Sequence, residues 1–168
     1  EIHKLQLSLI ALIIMFTSIN VNASTGSATV EFNGKNTLNV GEVFIVRMDV
    51  KDIIDTNNGV VSLEGNLSFD VNMIEYISSK TSDAPYQFYI NENYNYKIAG
   101  LDFTLNNGIN YNTTIYEFSF KALNSGDTTI TLNNAKLTDS VNRISSNILS
   151  KTITINEIEE NNELEESN

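Results

Sequence analysis

From Val61 to Phe69 the chain alternates in polarity, and this stretch restricts the possible folds more than any other. Val61, Leu63, Leu67 and Phe69 fall on one face, and Ser62, Glu64, Asn66 and Ser68 fall on the other. A period of two with no charge on the apolar side describes a strand buried on one face and wet on the other. Gly65 interrupts the inward row. A glycine inside a strand marks a bulge or a close approach of backbone. Asp70-Val71-Asn72 ends the alternation in a tight turn, and Met73 to Ile77 restarts it.

The same pattern recurs along the chain from Ser24. Ala28–Phe32 reads as a short strand closed by Asn33-Gly34. Phe44, Val46, Met48 and Val50 share one face of the next strand, opposite Ile45, Arg47 and Asp49. Asp55-Thr56-Asn57-Asn58-Gly59 is a turn cluster. Strands are expected at about Ile74–Ser78, Tyr86–Ile90, Tyr94–Phe103, Thr114–Ala122, Thr128–Leu132 and Lys151–Ile155. In Thr114–Ala122 the inward residues are Tyr116, Phe118, Phe120 and Ala122. Nine short strands at this spacing, with no long helical pattern after Ser24, predict an all-β sandwich in one domain.

The first residues read differently. After Lys4, Leu5–Ile19 is an apolar run too short to cross a bilayer comfortably, and it ends in Val21-Asn22-Ala23. That small-x-small ending predicts a signal peptide over residues 1–23, cleavage before Ser24, and an extracellular or cell-surface location. The chain begins with Glu1 rather than Met, so a truncated gene product is expected. At the other end, residues 157–168 hold six glutamates and few bulky side chains, which predicts an acidic solvated tail or a linker.

Charge and composition remove several function classes. The net charge is −11, of which residues 5–156 carry −5. Nucleic acid and anionic membrane surfaces are therefore poor partners. The chain has no Cys, and its one His, His3, lies in the leader, so thiol nucleophiles and His/Cys metal sites are excluded from the domain. Glu64, Asp70, Glu75, Asp102 and Glu117 could in principle supply a glycosidase pair, but most sit at polar, outward or turn positions, and no triad or metal signature accompanies them. Asp55–Gly59 places oxygens at alternate positions, but the twelfth residue of that frame is Asn66 rather than Glu, so the EF-hand template fails. No catalytic residue, metal or cofactor is expected.

The strand-turn-strand at 59–76 resembles the third strand of cohesin domains and the turn after it. In that family a Gly leads into a strand that ends aromatic-Asp, followed by a turn and an aliphatic-Glu pair. Gly59, Phe69, Asp70, Ile74 and Glu75 stand at the matching places. Leu38-Asn39-Val40-Gly41-Glu42 resembles the turn before the family's second strand. The ending, from the aromatic strand through Ser125-Gly126, Asn133–Ser140 and Lys151–Ile155, is similar to the cohesin C-terminus.

The resemblance spans Ala28 to Asn156 and implies a nine-stranded jelly-roll β-sandwich over residues 24–156. It also implies a non-catalytic module that binds a dockerin-bearing protein, in a cellulosomal or cell-surface setting of polysaccharide degradation. The family binds across the sheet containing the third strand, which carries the contact role onto Ser62, Glu64 and Asn66, with Asn106 and Asn134 near the same sheet. Glu64 is then expected to pair with a Lys or Arg of the partner.

A second reading comes from Tyr86, Tyr89, Tyr94 and Tyr96, interleaved with Asn91, Asn93 and Asn95. Rings that stack on sugars and amides that bond hydroxyls would make a carbohydrate-binding or adhesive module. Alternate rings filling the core are the plainer account of the same residues.

Overall fold

The computed structural model describes residues 26–81, 87–101 and 108–158. The stretch expected as a leader, Tyr86, Asp102, Asn106 and most of residues 157–168 lie outside them. The described residues form eleven strands: β1 Ser27–Gly34, β2 Thr37–Asn39, β3 Val43–Ile54, β4 Ser62–Ser68, β5 Ile74–Thr81, β6 Gln87–Asn91, β7 Lys97–Leu101, β8 Thr113–Ala122, β9 Gly126–Thr138, β10 Arg143–Leu149 and β11 Lys151–Asn156. A 3-10 turn, Glu92–Tyr94, joins β6 to β7.

The strands make one curled sheet in the order β5-β8-β3-β1-β10-β9-β4-β7-β6, with β11 beside β9 and β2 beside β11. The curl closes through β10. Its Arg143 and Ile144 pair antiparallel with the end of β9, and Ser145 to Leu149 then run parallel to β1. One wall is thus β5-β8-β3-β1, and the other is β6-β7-β4-β9 extended by β11 and β2. The walls meet directly. The Phe69 and Phe120 rings lie 5.1 Å apart, and the Tyr116 hydroxyl donates to the Tyr89 carbonyl at 3.0 Å. The all-β sandwich expected from periodicity is the architecture found.

Alternation decides what is buried. Phe44, Val46, Met48 and Val50 of β3 are inside, as are Tyr116, Phe118, Phe120 and Ala122 of β8. Leu63 and Leu67 of β4 are buried beside Leu132 and Leu137 of β9. Phe69, just past the end of β4, is half-buried and packs on Tyr96 and Phe120.

Eleven strands replace the nine expected. β2 is three residues long and overlaps the turn expected at Leu38–Glu42. β10 turns only Ile144 and Ile148 toward the core, four residues apart, so no period-two signal is visible in it. The strand that starts at about Thr128–Leu132 runs on through Asn133–Thr138 as β9, because a bulge absorbs its break in register against β4.

Gly65 sits in that bulge. The β4–β9 register shifts between Glu64 and Asn66, with Glu64 opposite Lys136 and Asn66 opposite Asn133. Asn134, on the bulged side, takes a φ of +53°, a conformation Asn tolerates better than most residues. A Cβ on Gly65 would lie 2.7 Å from Leu132 Cδ1 and 3.1 Å from the Asn133 carbonyl oxygen, so the backbones approach this closely only without a side chain.

Candidate partner-binding face

The outer surface of β6-β7-β4-β9 is built from the polar positions of those strands. Register lines them up across the wall. Tyr89 stands opposite Ala99, Ala99 opposite Glu64, and Glu64 opposite Lys136. The neighbouring row runs Asn91, Lys97, Asn66, Asn133. Ser62 lies between Leu101 and Thr138, and its hydroxyl is 2.6 Å from that of Thr138. The Asn66 side chain donates to the Asn95 carbonyl at 3.1 Å, fastening β4 to the turn before β7.

Glu64 is the electrostatic centre of this surface. One carboxylate oxygen lies 2.9 Å from the Lys136 ammonium and the other 3.3 Å from that of Lys97. The hydrogen bond from Lys136, with the charge of Lys97, outweighs partial burial and holds the Glu64 carboxyl below the usual carboxylate range. The side chain that the resemblance offers to a partner cation is therefore already bridged by two cations of its own wall. Neither lysine stood out in the sequence, because nothing local says that β7 and β9 flank β4.

Four of the five partner-contact candidates come together on this wall. Ser62, Glu64 and Asn66 are consecutive outward positions of β4, and Asn134 is exposed in the bulge of β9 beside them. Asn106 lies outside the described residues.

The tyrosines divide. Tyr89 is 59% exposed on β6, and Tyr94 is 71% exposed on the 3-10 turn. Tyr96 is half-buried, its ring 4.8 Å from that of Phe69 and 5.4 Å from that of Tyr76. It has a φ of +46°, which turns it into the gap between the walls. Tyr86 lies outside the described residues. The three described tyrosines thus do not form a single flat row.

A second polar centre, Asp139, is 5% exposed at the far end of the β4-β9 pair. Its carboxylate accepts the backbone N–H of Val141 at 2.8 Å and of Asn142 at 2.6 Å. It also accepts the backbone N–H of Asn57 at 2.9 Å and the Asn57 side-chain amide at 3.2 Å. The turn cluster 55–59 is thereby pinned to the turn after β9. Gly59, with φ +78°, closes the same corner, where a Cβ would lie 2.4 Å from the Ile109 carbonyl oxygen. Among the described residues no group of His, Cys, Asp or Glu is arranged to hold a metal ion.

No family model and no curated protein matches the sequence. Solved structures do. The cohesin module of a Clostridium perfringens family 33 glycoside hydrolase is 16% identical with a TM-score of 0.66, covering 81% of this chain and 100% of that one. The sixth cohesin of Acetivibrio cellulolyticus scaffoldin B, solved in complex with a Cel5 dockerin, is 16% identical with a TM-score of 0.63, covering 78% and 99%. A non-cellulosomal cohesin from the archaeon Archaeoglobus fulgidus is 17% identical with a TM-score of 0.61, covering 77% and 91%. At such identities the likeness is one of fold, and it agrees with the resemblance carried by Gly59, Phe69-Asp70 and Ile74-Glu75. The chain has a cohesin-like fold.

Proposed function

We propose that this chain is an exported, non-catalytic cohesin-like module that docks a dockerin-bearing protein at the cell surface or outside the cell, within an assembly that degrades polysaccharides. The observation that carries the reading is the outward row of Ser62, Glu64 and Asn66 on β4, flanked by β7 and β9 in a cohesin-like sandwich. Two of the similar solved structures are themselves cohesin–dockerin complexes. Export rests on the leader pattern of residues 1–23. The lack of Cys, and of His beyond His3, supports a module without chemistry of its own.

The test is capture on the immobilised chain of purified dockerin modules, with calcium and with a chelator. Calcium-dependent retention of at least one dockerin, lost on changing Ser62 and Asn66 to Arg, is the expected result. Retention that survives those changes would move the contact off this wall.

Tyr89 and Tyr94, both well exposed, favour a second reading as a carbohydrate-binding module. Retardation by soluble polysaccharides in affinity electrophoresis, abolished in Tyr89→Ala or Tyr94→Ala, would select it over the first.

A further inference from the structure

The charge of the docking wall indicates the chemistry of the partner. Of the outward strand positions on β7, β4 and the half of β9 paired with β4, the charged ones are Lys97, Glu64 and Lys136. Two ammoniums and one carboxylate leave these outward positions with one net positive charge, on a chain whose total is −11. Both oxygens of Glu64 are engaged, at 2.9 Å and 3.3 Å. The Lys136 side chain keeps 54% of its surface in water and the Lys97 side chain 32%, against 38% for Glu64. An ammonium has three donors, so each lysine retains donors for a visitor after serving Glu64.

We infer that this wall receives a carboxylate-bearing surface of its protein partner on Lys97 and Lys136. Glu64 then acts as a positioning residue that holds the two ammoniums together. The inference rests on the docking role proposed for this wall and reverses the polarity that Glu64 alone implied. A partner Lys or Arg approaching Glu64 meets two like charges at contact distance. A partner Asp or Glu meets two donors already oriented by a shared anion, and a charge-assisted bond of this kind gains strength where the interface excludes water. Without Glu64 the lysines would repel each other and separate, yet the wall would become more positive.

The experiment has two arms, both on the full chain. In the first, calcium-loaded dockerin modules, grouped by the net charge of their contact helices, are titrated by calorimetry against the native chain and the Lys136→Glu and Glu64→Gln variants, with each variant's melting temperature recorded. The expected binders have acidic contact helices. Lys136→Glu should weaken them at least tenfold, Glu64→Gln should weaken them less than Lys136→Glu because the lysines lose their shared anion while the surface gains positive charge, and added salt should weaken them all. Binding confined to basic contact helices, with Glu64→Gln costing tenfold, would overturn the inference while leaving the docking role intact.

In the second arm, a ten-residue glutamate peptide and a ten-residue lysine peptide are titrated into the isotope-labelled native chain and followed by amide chemical shifts. The glutamate peptide should shift amides around Lys97, Asn66 and Lys136, and the lysine peptide should not. If no dockerin binds but the glutamate peptide does so there, the docking partner is of another family and the acidic chemistry stands. If neither binds there, both fail.

Discussion

Replacing Asp139 by Asn tests whether one buried carboxylate holds a corner of this sandwich. The substitution preserves shape but turns one acceptor oxygen into an NH2 donor. Two of the four hydrogen bonds to Val141, Asn142 and Asn57 must then be lost, whichever way the amide faces. Hydrogen bonds to a charged acceptor contribute about 1.5–3 kcal/mol each. The corner lies near solvent, so the low end applies, and the loss should be about 3 kcal/mol. For a chain of this size that corresponds to a fall in melting temperature of roughly 10 °C.

The pH dependence adds a second signature. Burial alone would raise the Asp139 carboxyl, but the amide donors of Asn57, Asn142 and Val141 outweigh it and hold the group below the usual aspartate range. A carboxyl with a depressed folded-state pKa stabilises the fold above its unfolded value of about 3.9, and that stabilisation is lost as pH falls through the folded value. Circular dichroism melts of the native chain and Asp139→Asn should therefore differ by roughly 10 °C at pH 7, and the difference should shrink as acid protonates the folded-state carboxyl. A difference under about 3 °C at pH 7, or one unchanged in acid, would refute the assignment of that corner to Asp139.

Gly65→Ala should destabilise by about 1–3 kcal/mol in urea unfolding, because its Cβ must displace Leu132 or the β9 backbone. Tyr96→Ala should lower stability by about 2–4 kcal/mol through loss of its contacts with Phe69 and Tyr76. Tyr94→Ala, at an exposed position, should change it by less than about 0.5 kcal/mol in the same assay. The Glu64 carboxyl should titrate below the usual range by NMR, since the bond from Lys136 leads the interactions that favour its charged form, and it should move upward in Lys136→Ala. Mass spectrometry of the secreted protein should find Ser24 as its first residue, and retention of residues 1–23 would indicate an anchored chain.

Sequence alone determined which side chains turn inward, because strand periodicity is a property of a single segment. Phe44 to Val50 and Tyr116 to Ala122 needed no partner to declare their buried faces, and Gly65 pointed to a bulge or a close backbone approach, both of which occur there. Turn chemistry at Asp70 was equally local: its side chain accepts the Asn72 N–H at 2.8 Å, two residues on. What could not be read were relations between segments far apart in the chain. Lys97 and Lys136 are 33 and 72 residues from Glu64, and they meet it only because β7 and β9 pair with β4. Asp139 and Asn57 are 82 residues apart. That some of the tyrosines fill the core was the plainer expectation, but which one does so depends on distant neighbours: Tyr96 packs on Phe69 and Tyr76. β10 shows no apolar alternation because exposed Ser146 stands between its two inward residues, Ile144 and Ile148. Local patterning set the faces, and the pairing order of the strands, a property of the closed sandwich, decided which charges share one of them.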